Sequence, residues 1–286
     1  MPLLTLARIM LAPVLFWQGR QVRRRLPPLP EAPGARLGLA GPGGSGHAMP
    51  RLRVLVVGDS AGAGVGARSQ DEALAAPLAA TLARRLRAPV AWQLVARSGW
   101  TAADATEALR TLSAQGRLPP ADVLVTALGV NDAIALTSPS RWVRRLDELE
   151  RCARELTGVQ LTVLSAIPPM HRFPALPQPL RWVLGHATAR LNRAQRHWAA
   201  QSGARVHAEM PFDPAQERIA RLMAADGFHP GPVLYRHWAE ALARQIGSDW
   251  SDAPTDPGPQ APPAVAAVAA AEPGSGRGRP SRSMAT

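Results

Sequence analysis

Short valine-rich runs alternate with helical stripes through the middle of the chain, and this alternation constrains the fold most strongly. The runs are Arg53–Val57, Val90–Val95, Val123–Leu128, Leu161–Leu164 and a weaker fifth at Val206–Ala208. Continuous apolar runs of this length are typical of strands that are buried on both faces of a parallel sheet. Because helical patterns separate them, the sequence predicts an α/β fold: a three-layer αβα sandwich around a five-stranded parallel sheet.

The composition of the flanking segments sets the predicted domain boundaries. Residues 1–25 join an apolar stretch to a basic run, and residues 26–50 are rich in proline and glycine, which is typical of a linker. Residues 51–248 carry the strand and helix patterns and form the predicted domain. Residues 249–286 are rich in alanine, proline and glycine, and we expect them to form a disordered tail.

The first 25 residues are a candidate membrane anchor. Their apolar stretch is at the short end for a spanning helix and is interrupted by Arg8. The arginines follow the apolar stretch, whereas a secretory signal places its charge before it. We therefore expect an uncleaved anchor or an interfacial helix, and a membrane-associated rather than a cytoplasmic protein. The alternative is a short helix packed on the domain.

The net charge of +12 is the balance between 33 arginines, without any lysine, and 21 acidic residues. The basic residues of the middle region are spread along its helices, so we expect a solvated basic surface and no nucleic-acid partner. Cys152, the one cysteine, excludes an internal disulfide. No cluster of histidines and cysteines has metal-ligand spacing, so we expect neither a metal nor a cofactor. The sequence does not indicate an oligomeric state.

Chemically suggestive residues follow the first three predicted strands, where open parallel sheets bind ligands. Ser60, in the run GDSAG, would present its hydroxyl at a strand-to-helix turn, or would simply cap the helix. Gly99 could let its N–H approach a ligand, or serve only the turn. Asn131 carries an amide that could hold an oxyanion, or could cap the next turn.

Asp226 and His229 lie three residues apart, just before the last predicted helix. A carboxylate at this spacing can reach Nδ1 of the imidazole and leave Nε2 free to accept a serine proton. The other six histidines have no such neighbour in the sequence. These two residues are therefore the candidate base and its orienting acid.

Together, the four blocks resemble the SGNH (GDSL-type) hydrolase family, whose fold is flavodoxin-like. The blocks are GDS at the first strand, a glycine after the second, GxND after the third and DxxH before the last helix. They occur in the family's order and span most of the predicted domain. One departure is Ala61, which stands where the family's short name has leucine. The stretch GDSAGAGVGA and the later DGFHP are similar to the bacterial lysophospholipase-like or acyl-esterase branch.

The resemblance implies a role for each matching residue. Ser60 would be the nucleophile, His229 the general base and then the acid, and Asp226 the residue that orients His229. The Ser60 N–H, the Gly99 N–H and the Asn131 side chain would form the oxyanion hole. The implied activity is hydrolysis of small-molecule or lipid carboxylic esters through an acyl-enzyme, without a cofactor.

The residues of the acyl pocket are harder to predict. The candidates follow the second and fourth strands and are apolar: Trp100, Ile167, Pro168, Met170 and Phe173. The alternative is a rigid proline-rich loop that covers the edge of the sheet.

Three other functions stay open at this stage. One is O-acetyl ester hydrolysis on cell-wall or glycan substrates. Another is a non-catalytic binding module with the same fold. The third is dinucleotide binding, because Gly62–Ala67 fits G-x-G-x-x-A. It is disfavoured because Asp59 and Ser60 intrude before the glycines and no acidic residue follows the second strand.

Overall fold

The computed structural model describes residues 2–26, 29–42, 49–211 and 219–251. One six-stranded sheet forms its centre. In chain order the strands are β1 (Leu37–Ala40), β2 (Leu52–Gly58), β3 (Val90–Ala96), β4 (Val123–Ala127), β5 (Leu161–Ser165) and β6 (Arg205–Ala208). Their spatial order is β1-β3-β2-β4-β5-β6, and every neighbouring pair is parallel except β1 with β3.

The helices account for the outer layers. They are α1 (Pro2–Arg25), α2 (Ala75–Leu86), α3 (Ala102–Ala114), α4 (Val130–Ile134), α5 (Pro139–Thr157), α6 (Leu180–Ala199), α7 (Ile219–Leu222) and α8 (Pro232–Ser251). The core of one sheet face is shared with α2 and α8, and that of the other face with α3, α5 and α6. The predicted αβα sandwich is confirmed.

Strand β2 shows why a continuous valine run is stable in this position. Val54 and Val56 pack in one core, whereas Leu55 and Val57 pack in the other, because successive side chains of a strand point to opposite faces. All four are at most 2 % exposed. The strand therefore requires a helical layer on each face, which is the arrangement observed.

The prediction of a linker at residues 26–50 was wrong for part of that segment. Strand β1 lies within it and adds an antiparallel sixth strand to the five predicted ones. Ala32 is buried, and its N–H donates to the Ala63 carbonyl. Proline and glycine do not prevent pairing at the edge of a sheet, where a strand makes hydrogen bonds on one side only. Residues 27–28 and 43–48 lie outside the described residues.

The ends of the chain are described only in part. The predicted apolar segment forms α1, and none of the helices described here has an apolar stretch long enough to cross a bilayer. Helix α8 continues to Ser251, three residues past the predicted end of the domain. The remainder of the predicted tail, residues 252–286, lies outside the described residues.

Candidate active site

The carboxyl ends of three central strands bring the candidate residues to one edge of the sheet. Gly58, the last residue of β2, pairs with the last residues of both β3 and β4. Ser60, Gly99 and Asn131 follow these three strand ends within two to four residues. Residues that are far apart in sequence therefore share one edge because the register of the strands aligns.

The serine turn, residues 59–66, is held by the Asp59 side chain and by one side chain from α8. The Ala61 N–H donates to Asp59 Oδ1 at 3.0 Å. Tyr235, the only tyrosine of the chain, is buried, and its hydroxyl lies 3.0 Å from the Ala61 carbonyl and 2.8 Å from that of Val65. The turn is also tight, since a Cβ at Gly58 would lie 2.6 Å from the Gly62 Cα.

The expected helix N-terminus at Ser60 is absent from this turn. Residues 60–66 form turns, a short 3-10 helix follows at Gln70–Glu72, and α2 begins only at Ala75. The glycines of this segment allow the chain to turn repeatedly, and Gly64 and Gly66 have positive φ angles of 83° and 96°. A helix dipole therefore does not account for the environment of Ser60.

Ser60, His229 and Asp226 form a continuous hydrogen-bonded chain. The His229 Nε2 lies 3.0 Å from the Ser60 Oγ, and the His229 Nδ1 lies 2.6 Å from Asp226 Oδ2. The other carboxylate oxygen, Oδ1, accepts the backbone N–H groups of Phe228 and His229 at 2.9 and 3.0 Å. The carboxylate is thus fixed by the loop that carries the imidazole.

These contacts also keep Asp226 ionised. Burial by itself raises the pKa of Asp226, but the hydrogen bonds from the His229 ring and from the two backbone N–H groups outweigh it. The net pKa lies below its usual value. An ionised carboxylate at this position can orient the imidazole and stabilise its protonated form.

Asp59, next to Ser60, is a buried carboxyl that the sequence did not single out. It is 1 % exposed, and no described residue hydrogen-bonds its Oδ2. Burial raises the pKa of Asp59 from 3.8 to about 7, although the Ala61 N–H partly opposes the shift. Deprotonation of Asp59 therefore places a poorly solvated charge beside the serine turn.

We expect this carboxyl to make folding stability depend on pH. Between about pH 4 and 7 the folded protein keeps Asp59 protonated while the unfolded chain releases the proton, so stability falls as pH rises. Asp59→Asn stays neutral and can still accept the Ala61 N–H. Urea unfolding should show the variant gaining a few kcal/mol relative to the parent between pH 4.5 and 8. An equal stability difference at both pH values would contradict this.

The candidate oxyanion residues lie around the turn that follows β3. Gly99 has a φ of 88°, which favours glycine, and nothing lies within 4 Å of the position that a Cβ would occupy. The Asn131 Nδ2 donates to the Trp100 carbonyl at 2.9 Å, which fixes the amide and uses one of its two N–H groups. Asn131, in α4, is therefore tied to the turn after β3 that carries Gly99.

Several residues that the sequence did not reveal support these turns. Glu31 accepts the Ser98 N–H at 2.7 Å, next to Gly99. The Gln70 Nε2 donates to the carbonyls of Ala32 and Ala63, and so joins the N-terminal segment to the serine loop. Most of these contacts join residues that are far apart in sequence, so no short sequence motif indicates them.

Asp132 is a further support that lies within a motif block. Its Oδ2 accepts the Ala102 N–H at 3.1 Å, and its Oδ1 binds the Arg145 guanidinium at 2.6 Å. The side chain of Asp132 is fully buried. It therefore fixes the start of α3 against α4, the short helix that carries Asn131, a role that the GxND spacing alone does not indicate.

An apolar cleft opens beside Ser60 and His229. Its walls include Leu128, Met210 and Met223. The cavity volume is about 30 Å³, which is much smaller than the roughly 150 Å³ that holds a benzene ring. The enclosed part of the cleft, next to the Ser60 hydroxyl, is therefore small, and the remainder is open to solvent. Within the described residues, no group of acidic, histidine or cysteine side chains could hold a metal ion.

The structure separates the predicted acyl-pocket residues into two groups. Pro168 and Phe173 line the cleft. Ile167 and Met170 are buried in the core, and Trp100 packs half-buried against the same core, so these three do not line it. For Ile167 the reason is the direction of the loop after β5, because the Ile167 side chain lies against Gly129 rather than in the cleft.

The sequence of the chain matches a known family over most of its length. Residues 56–252 match the model of the GDSL-like lipase/acylhydrolase family. The chain belongs to this family. The match begins within β2 and ends just after α8, so it contains all the residues of the Ser60–His229–Asp226 chain. No curated protein sequence matches closely enough to count as a relative.

Solved structures share the fold of this GDSL-family chain. The crystal structure of TesA is 23 % identical, with a TM-score of 0.50 over 69 % of this chain and 99 % of that one. A carbohydrate esterase family 3 enzyme from Talaromyces cellulolyticus is 15 % identical, with a TM-score of 0.52 over 71 % and 100 %. An acetyl-xylooligosaccharide esterase from Geobacillus Stearmophilus, solved as a mutant, is 17 % identical, with a TM-score of 0.51 over 69 % and 95 %.

Proposed function

We propose that this chain is a serine esterase that hydrolyses carboxylic esters through an acyl-enzyme. One observation carries the proposal: the Ser60 Oγ lies 3.0 Å from the His229 Nε2, while the His229 Nδ1 lies 2.6 Å from Asp226. A nucleophile, a base and an orienting carboxylate within hydrogen-bonding distance of one another are the arrangement that acyl transfer requires. The family match is consistent with ester hydrolysis.

In the first half of the reaction, Ser60 Oγ attacks the ester carbonyl carbon and passes its proton to the His229 Nε2. The carbonyl oxygen becomes an oxyanion, for which the N–H groups of Ser60 and Gly99 and the free N–H of Asn131 are the proposed donors. The C–O bond to the alcohol then breaks, and the alcohol leaves with the proton from Nε2. Throughout, Asp226 holds the ring so that Nε2 faces the serine.

The second half of the reaction regenerates the enzyme. Water gives a proton to the His229 Nε2 and attacks the acyl-enzyme. The second tetrahedral intermediate expels Ser60 Oγ, which recovers the proton, and the carboxylic acid leaves. Each step uses only the side chains of the proposed triad and the oxyanion donors.

The small cleft favours a second, narrower candidate: hydrolysis of acetyl esters. A volume of about 30 Å³ beside the serine accommodates an acetyl methyl group, whereas a longer acyl chain would have to extend along the open side. An acetyl-xylooligosaccharide esterase also shares the fold. These observations support a short acyl group but leave the alcohol part of the substrate open.

A panel of p-nitrophenyl esters of increasing chain length tests both proposals. Measurable hydrolysis, together with labelling of Ser60 by a fluorophosphonate, is the result expected of an esterase. Acetate as the best substrate would support the acetyl-ester candidate, and octanoate or longer would favour lipid-like esters. A protein that neither hydrolyses the panel nor reacts with the fluorophosphonate would instead be a non-catalytic binding module.

We expect Asn131→Ala to lower kcat by roughly 100-fold or more, because one oxyanion donor is lost. The effect on KM should be small, since the charge on the substrate oxygen develops only in the transition state. Steady-state kinetics on the best ester of the panel measures both constants. The control variant is Gln115→Ala, which removes an exposed amide side chain. Asn192→Ala is unsuitable because the Asn192 side chain hydrogen-bonds the Ile167 backbone. An unchanged kcat in Asn131→Ala would remove Asn131 from the oxyanion hole.

A further inference from the structure

Helix α1 is attached to the hydrolase domain along one side. Leu15 and Val22 pack against the core next to α6 and lie about two turns apart on the same face of the helix. Between them, Gln18 is 7 % exposed and makes two hydrogen bonds: its Nε2 donates to the Gln178 carbonyl at 2.6 Å, and its Oε1 accepts the Leu180 N–H at 3.1 Å. This side of the helix therefore has a fixed partner within the chain.

The other side of α1 exposes large apolar side chains. Phe16 is 68 % exposed, Trp17 60 % and Val14 42 %. The Arg20 guanidinium lies 5.8 Å from the centre of the Phe16 ring, so aromatic and cationic groups share this surface. Before Phe16 the sequence of the helix is apolar apart from Thr5 and Arg8. Exposed apolar side chains that are bordered by charged residues are characteristic of protein and membrane interaction surfaces.

The last turn of α1 adds a concentrated positive charge. Arg23, Arg24 and Arg25 are all exposed, as is Arg20. Within the described part of the chain, none of these four arginines forms an ion pair with a carboxylate. Helices that combine exposed Trp and Phe with arginines lie in the interface of anionic membranes, where the rings enter the headgroup region and the guanidinium groups contact the phosphates.

We propose that the exposed side of α1, defined by Val14, Phe16, Trp17, Arg20 and residues 23–25, binds an anionic lipid surface. The helix lies on the surface without crossing it. This binding is separate from ester hydrolysis and does not depend on the proposed triad. It also extends the sequence-based expectation of membrane association, because it identifies which side of α1 contacts lipid and which side stays on the domain.

The attachment of α1 joins this surface to a wall of the cleft. Gln18 holds the end of the loop that begins at Phe173, and Phe173 lines the cleft beside His229. The Phe173 ring also packs edge-to-face on Phe228, with 5.3 Å between centroids. A lipid surface bound to α1 is therefore only one loop away from the residues that surround Ser60.

Vesicle flotation of the full chain tests the proposal. We expect the protein to float with vesicles that contain about 30 % phosphatidylglycerol, and to bind pure phosphatidylcholine much more weakly. Binding should weaken sharply between about 50 mM and about 500 mM NaCl because salt screens the arginines. Replacing residues 23–25 with glutamine should lower the partition coefficient by about 100-fold. Phe16→Ser with Trp17→Ser should lower it by roughly tenfold or more.

A charge-matched control separates a local effect from the net charge of the protein. Arg84→Gln, Arg85→Gln and Arg144→Gln together remove three exposed arginines from α2 and α5, and should leave most of the binding intact. All variants should retain hydrolysis of a soluble ester, or the circular dichroism of the parent if that activity is absent. Failure of the parent to bind anionic vesicles at low salt would overturn the proposal, and an acidic protein partner would then be the alternative. Equal losses in the α1 triple variant and the control would overturn it as well.

Discussion

Ser60→Ala is expected to lower kcat for ester hydrolysis by about 10⁴-fold or more without unfolding the protein. The substitution removes the Oγ that faces the His229 Nε2, and with it the atom that would form the acyl-enzyme. The backbone contacts of the turn remain, because the Val65 N–H bonds to the Ser60 carbonyl rather than to its side chain. Activity on the best ester of the panel measures the loss, and circular dichroism checks the fold.

A control for Ser60→Ala is Ser113→Ala, the same chemical change near the end of α3. It should keep the kcat of the parent and its reaction with a fluorophosphonate, both of which Ser60→Ala should lose. The remaining oxyanion donors explain any slow hydrolysis that persists in Ser60→Ala. If purified Ser60→Ala turned over ester at the parent rate, another residue would be the nucleophile.

Asp226→Asn is expected to lower kcat by about 10³- to 10⁴-fold, because it changes which nitrogen of the His229 imidazole carries the proton. The asparagine Oδ1 can still accept the N–H groups of Phe228 and His229, so the loop keeps its shape. Its NH₂ group then faces His229 Nδ1 and requires that nitrogen to be an acceptor. The ring proton moves to Nε2, which can no longer accept the proton of Ser60.

The measurement that distinguishes this tautomer effect from a loss of structure combines kinetics with unfolding. The kcat of Asp226→Asn should fall, whereas its midpoint of urea unfolding should stay close to that of the parent. The exposed Asp71→Asn is the matched control and should change neither quantity. A kcat close to that of the parent in the folded variant would show that Asp226 does not act by orienting the ring.

Much of the fold could be predicted because apolar strands carry their own signal. The runs in β2, β4 and β5 are nearly continuous apolar segments rich in valine and leucine, which are typical of a sheet covered on both faces. Helix α3 has a weak apolar signal in the sequence because its buried face consists mostly of small residues such as Ala102 and Ala105. A capping box formed by Thr101 and Asp104 was the local signal that could have located its start.

The site was predictable to the extent that its residues follow strand ends in a recognisable order. Ser60, Gly99 and Asn131 meet at one edge because the strands before them are parallel and in register. The supports of these residues were not predictable. Tyr235 and Glu31 are distant in sequence from the turns that they stabilise. Each of them hydrogen-bonds to backbone atoms of its turn. Backbone N–H and C=O partners do not produce a recognisable pattern of residues in the sequence.

The edge strand β1 also determines how far the chain can be shortened. A fragment that began at Arg51, the boundary suggested by composition, would expose the outer hydrogen-bonding groups of β3, and unpaired strand edges promote aggregation. It would also deprive the Gln70 amide of the Ala32 carbonyl. The smallest fragment suitable for crystallisation should therefore begin before Glu31, within the proline- and glycine-rich segment that composition alone assigns to a linker.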